Sequence, residues 1–93
     1  MSQESPEARI KRLKMRSMRR GIKEMDIILS SFCDAKIEMM SDAELRQYDA
    51  LLAENDQDLY QWVSGQAPMP PHFKDLITEI RSFTLQNPRT AAL

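Results

Sequence analysis

The sequence predicts an all-α fold, a compact bundle of about five short helices. Val63 is the only valine, while Leu, Met and Ile are frequent, a composition that favours helices over strands. Apolar residues recur at three- and four-residue spacing in five separate stretches, each bounded by capping or breaking residues. No internal repeat and no hairpin signal interrupts this pattern.

At 93 residues the chain suits one small domain over residues 1–93, with an ordered core from about 6 to 87 and loose termini at 1–4 and 88–93. Ser5-Pro6-Glu7 starts the first helix, with Ser5 as N-cap and Pro6 at the first helical position. Ile10, Leu13, Ser17 and Met18 form its narrow apolar stripe, and the helix is expected to run to about Arg20. Gly21 then stands where a left-handed cap residue belongs, with Arg19 and Arg20 opposing the dipole in the last turn.

Met25, Ile28, Leu29, Phe32 and Cys33 give the core face of a second helix over about Lys23 to Glu38, with Glu24 and Asp26 in its first turn. Ser41-Asp42-Ala43-Glu44 is a capping box that opens a third helix ending near Glu54. Asp56 is the expected N-cap of a short fourth helix, with Leu59, Tyr60, Trp62 and Val63 on its buried side and Gly65 as its C-terminal cap. The proline-rich stretch 66–71 is a stiff connection. A fifth helix begins near Pro71 or His72 and stops before Asn87-Pro88.

Little in the chain suits catalysis. His72 is the only histidine, and no His/Cys spacing resembles a metal site, so no metal ligand and no catalytic residue is assigned. Cys33 is the only cysteine, which excludes an internal disulfide and fits a core position in a reducing compartment. The two glycines, Gly21 and Gly65, lie too far apart for a phosphate-binding loop. The acid pairs Glu24/Asp26 and Asp56/Asp58 fit helix starts, and Trp62 with Tyr60 fits core packing better than a stacking platform. No apolar run approaches the ~20 residues that span a bilayer, so no membrane insertion is expected.

The net charge of −1 hides an asymmetry. Residues 1–24 carry eight Lys/Arg against three Glu, and the remainder is correspondingly acidic. The basic third therefore meets either an anionic partner or the chain's own acidic part. Nucleic acid is a poor fit, because recognition helices sit in basic domains and this pI is about 5.8. Membrane-surface binding by the first helix lacks an aromatic anchor. A protein-binding module is favoured. The alternative is a small helical nucleic-acid-binding or regulatory protein that uses the basic N-terminal helix.

Arg20-Gly21-Ile22-Lys23-Glu24 matches the RGxxE motif, and Arg19 with Asp26 extends it to RRG-x-x-E-x-D. With Ser41 to Leu52 and the Asp56, Asp58-Leu59-Tyr60, Trp62, Gly65 segment, residues 9–83 resemble the succinate dehydrogenase assembly factors, or flavinylation factors. The resemblance implies a five-helix bundle that is not itself an enzyme. It would promote covalent attachment of FAD to the flavoprotein subunit of succinate dehydrogenase, and of fumarate reductase in some bacteria. It further implies that FAD is attached to the partner, with no cofactor tightly bound here, and that the free protein is a monomer. The implied partner-binding residues are Arg20, Gly21 and Glu24, with Arg19 and Asp26 peripheral. Bracing of the helix junction by Arg20 and Glu24 is the competing reading. Lack of a clear transit peptide gives the expectation of a bacterial cytoplasm rather than a mitochondrial matrix.

Overall fold

The computed structural model describes residues 4–93. Five α-helices follow one another: α1 (Pro6–Arg16), α2 (Lys23–Lys36), α3 (Asp42–Leu52), α4 (Asp56–Ser64) and α5 (Lys74–Gln86). Short 3-10 turns, Ile37–Met39 and Pro71–Phe73, extend α2 and lead into α5. No strand occurs among the described residues. The predicted looseness of residues 1–3 lies outside the described region.

Helix α2 is the centre of the packing, lying against α1, α4 and α5. Its Met25, Ile28, Leu29, Phe32 and Cys33 are all buried, which the i, i+3, i+4, i+7, i+8 spacing requires. Phe32 packs against Tyr48 of α3 at 5.9 Å and edge-on against Phe83 of α5 at 5.6 Å between ring centroids. Each such buried side chain contributes roughly 1.5–3 kcal/mol relative to exposure. Leu59, Val63, Leu76, Ile77 and Ile80 complete the core from α4 and α5. Cys33 fills core space as expected, and burial pushes its thiol pKa up. Tyr60 and Trp62 are half-buried against this core, and His72 is exposed.

The helix ends show where local rules held. Ser5 accepts from the Ala8 N–H, Ser41 and Glu44 form both halves of the capping box, and Gly65 is left-handed at φ 82°. The fourth helix is capped by Asn55 rather than Asp56: the Asn55 side chain accepts from Gln57 N–H at 2.8 Å. Helix α1 stops at Arg16, four residues earlier than expected. Ser17 N–H bonds to both Leu13 and Lys14 carbonyls, tightening the last turn. Met18, assigned to the apolar stripe, is instead 48% exposed.

Ser17 is fully buried and explains its place in an apolar stripe. Its hydroxyl donates to the Leu13 carbonyl at 2.8 Å and lies 2.6 Å from the Tyr48 hydroxyl. Since the one Ser17 proton is used, Tyr48 donates to Ser17, and burial raises the phenol pKa. The C-terminal segment folds back onto the bundle. After Asn87 the chain turns back, Thr90 is buried, and its hydroxyl donates to the Thr84 carbonyl at 2.8 Å.

The basic face of α1 finds its partners inside the molecule. Arg9 pairs with Asp42 at 2.6 Å, and Arg12 makes a two-pronged contact to Asp49 at 2.9 and 2.8 Å. Arg12 also holds Glu4 at 2.8 Å, and Arg16 contacts Asp49 as well. Positions 9, 12 and 16 share one helix face, so the three arginines form a ladder against α3. The Arg12 hydrogen bonds hold the Asp49 carboxyl below its ordinary pKa, with the Arg12 and Arg16 charges adding to this. A depressed carboxylate contributes stability above its unfolded pKa and loses it as pH falls through the folded value. Asp49→Asn should therefore lower the unfolding free energy by about 1 kcal/mol near pH 7. The difference from wild type should shrink in parallel thermal melts as pH falls from the ordinary carboxylate range through the depressed pKa of Asp49.

Candidate functional site

The corner between α1 and α2 is built around Arg20. Its side chain is 11% exposed, and the carboxylate of Asp56, 18% exposed, lies 2.6 Å from its guanidinium. Arg20 Nε donates to Asp56 Oδ1 at 2.8 Å, while Nη1 donates to the Arg16 carbonyl at 2.8 Å and the Leu52 carbonyl at 3.1 Å. Arg16 ends α1, Leu52 ends α3 and Asp56 begins α4. One guanidinium thus joins two helix C-termini, where the dipole favours a cation, to an acid at a third helix's N-terminus, where it favours an anion. Five donors in a rigid plane allow this, and the lysine ammonium would not reproduce it.

Gly21 serves the same carboxylate. Its N–H donates to Asp56 Oδ2 at 2.6 Å, and a Cβ placed on Gly21 would lie 3.1 Å from that oxygen. The absence of a Cβ therefore lets the backbone approach an acid of the same chain closely; a side chain here would push the Asp56 carboxylate back by a few tenths of an ångström. The expected left-handed conformation is not at Gly21. It falls on Arg19, at φ 55°, two residues earlier. Asp26 stabilises that backbone: its Oδ1 accepts from Arg19 N–H at 3.1 Å and from the Ser30 hydroxyl at 3.3 Å. A left-handed arginine costs about 1 kcal/mol or more, which the Asp26 contact offsets.

The five predicted residues therefore divide. Arg20, Gly21 and Asp26 are engaged within the molecule. The Arg19 side chain is exposed, and Glu24, half-buried, makes no ion pair or side-chain hydrogen bond among the described residues. Bracing of the junction is correct for Arg20, but its partner is Asp56, not Glu24. A shallow depression lined by Met18, Arg19, Arg20, Gly21, Leu52 and Asp56 lies on one side of the corner. Asp56 was read from the sequence only as a cap and as part of the downstream segment. The available signal was redundancy: Asn55 beside it suffices as the cap, leaving the Asp56 carboxylate free for a distant partner.

Among the described residues no three His, Cys, Asp or Glu side chains gather as metal ligands do, and no helix is long and apolar enough to cross a membrane.

Fold and site define a small all-helical protein that presents one charged corner held rigid from within. Residues 11–84 match the family described as flavinator of succinate dehydrogenase, and the chain belongs to that family. It is 41% identical over 73 residues to succinate dehydrogenase assembly factor 2, mitochondrial, of Schizosaccharomyces pombe, covering 78% of this chain and 52% of that protein. The like-named protein of Candida glabrata is 36% identical over 86 residues, covering 87% of this chain and 56% of the relative. For that of Komagataella phaffii the values are 34% over 89 residues, 90% and 47%. The chain thus spans about half the length of these relatives. Their names place them in mitochondria, which overturns the expectation of a bacterial cytoplasm. That expectation rested on the lack of a clear transit peptide, which does not decide a compartment.

A double-mutant cycle tests the Asp56 clamp. Gly21→Ala alone should destabilise by about 1 kcal/mol in chemical denaturation, because the added methyl displaces Asp56. In an Asp56→Ala background the same change should be neutral or stabilising by up to ~1 kcal/mol, since glycine then only adds unfolded-state entropy.

Proposed function

We propose that the chain is an assembly factor for succinate dehydrogenase that binds the flavoprotein subunit and promotes covalent attachment of FAD to it. The flavoprotein and flavin hold the reacting atoms, and this chain, acting as a monomer without a tightly bound cofactor, supplies binding and positioning rather than catalysis. Membership of the flavinator family over residues 11–84 supports the reading. Fumarate reductase is a second flavoprotein to which the same surface could be offered.

The observation that carries the mechanism is the division of labour at the corner. Arg20, Gly21 and Asp26 set its shape, while the Arg19 and Glu24 side chains remain for a partner. Glu24 receives an arginine or lysine of the flavoprotein, and Arg19 receives a carboxylate, through charge-assisted hydrogen bonds. A preformed corner lowers the ordering cost of binding, so docking favours the flavoprotein conformation competent for flavin attachment.

Co-expression with the flavoprotein subunit separates the two roles, with in-gel flavin fluorescence scoring the covalent product. Glu24→Ala should melt within ~0.5 kcal/mol of wild type yet lower flavinylation at least tenfold. Arg20→Ala should lose about 2 kcal/mol of stability as well as activity, because it leaves the Asp56 carboxylate half-buried and unpaired. Full flavinylation with the stable Glu24→Ala variant would sink the docking role of Glu24. Co-purification assays with each flavoprotein then identify the partner.

A further inference from the structure

Away from the corner, a half-open cavity of about 220 Å³ lies between α2, α4, α5 and the C-terminal turn. Ile28, Val63, Leu85, Ala91 and Leu93 give it an apolar lining, and Leu85 and Leu93 are 69% and 50% exposed at its edge. The C-terminal wall stands because Thr90 is anchored to the Thr84 carbonyl and Ala91 N–H bonds to Asn87. This wall lies beyond residue 84, where the family match ends.

Of the five polar side chains that line the space, the Ser64, Thr84 and Thr90 hydroxyls donate to backbone carbonyls, which leaves Arg81 and Tyr60. The Arg81 guanidinium donates to the Val63 carbonyl at 3.2 Å and to that of Trp62, which fixes its position at the end of α4. These carbonyls carry only the partial negative charge of the α4 C-terminus, and Arg81 has no acidic partner among the described residues. Tyr60 also lines the cavity, and its hydroxyl makes no hydrogen bond among the described residues. Apolar walls with a few fixed polar groups are the usual make-up of a small-molecule site. A half-buried cation lacking a counter-charge selects an anion.

We propose that this cavity binds a small amphiphilic carboxylate, its tail against Ile28 and Val63 and its head group at Arg81 and Tyr60. A dry cavity of about 150 Å³ already admits benzene. The space here therefore takes a single ring or a chain of roughly six to eight carbons. The proposal is independent of flavinylation, since none of the corner residues lines the cavity.

Titration of the 15N-labelled protein with sodium octanoate, 1-octanol and acetate tests it. Octanoate should produce saturable amide shifts centred on Val63, Thr84 and Ala91, with octanol and acetate each at least tenfold weaker. Ala91→Leu, which fills the cavity from the C-terminal wall, should weaken octanoate at least tenfold. Arg81→Gln should erase the preference for octanoate over octanol. Absence of saturable shifts, equal binding of octanol, or unchanged octanoate affinity in Ala91→Leu would each overturn the assignment.

Discussion

The Asp56 carboxylate is the constraint on which the corner between α1 and α2 depends. One oxygen takes the Arg20 guanidinium and the other takes the Gly21 N–H, so three helix ends and the entry to α2 are tied at one point. The Arg20 half of this contact is partly shielded from water, where a charge-assisted hydrogen bond is stronger than on the surface, while Gly21 itself is exposed. The geometry needs an arginine for its multiple coplanar donors and a glycine for the absence of a Cβ. Neither requirement arises from helix formation in that segment.

The arginine ladder extends the same chemistry along α1. Arg9, Arg12 and Arg16 reach Asp42 and Asp49, so much of the N-terminal basic charge is neutralised within the bundle. Single exposed pairs contribute little, but a shared acid between two arginines and a two-pronged contact place these among the more effective surface networks. The consequence for recognition is direct. A phosphate backbone would meet a helix whose arginines are already engaged, in agreement with the family assignment over a nucleic-acid role. The Arg19 and Glu24 side chains, by contrast, make no ion pair among the described residues.

Local sequence signals were accurate wherever a side chain acts on its own helix. The Ser5 cap, the Ser41/Glu44 capping box, the Gly65 cap and the core face of α2 all follow from spacing of a few residues. The errors cluster at the corner. Gly21 looked like a left-handed cap because glycine usually is one, yet the left-handed residue is Arg19, held by Asp26. The N-cap of α4 moved from Asp56 to Asn55 because the aspartate has a distant partner. The C-terminal segment, with little to bury, is anchored by one buried threonine.

By itself the sequence determined the all-α class, the number and order of the helices, most of the core, and the RGxxE resemblance that points to the family. The helices and the core follow from periodicity and caps, which are read within a turn or two of chain, and the resemblance rests on the motif residues themselves. Only the tertiary structure decided what the motif residues do. Asp56 lies thirty-five residues from Gly21 and thirty-six from Arg20, and no local pattern pairs a carboxylate with donors at that separation. Folding brings them together, and that contact makes Arg20 and Gly21 the frame of the corner while the Arg19 and Glu24 side chains stay without an ion pair among the described residues.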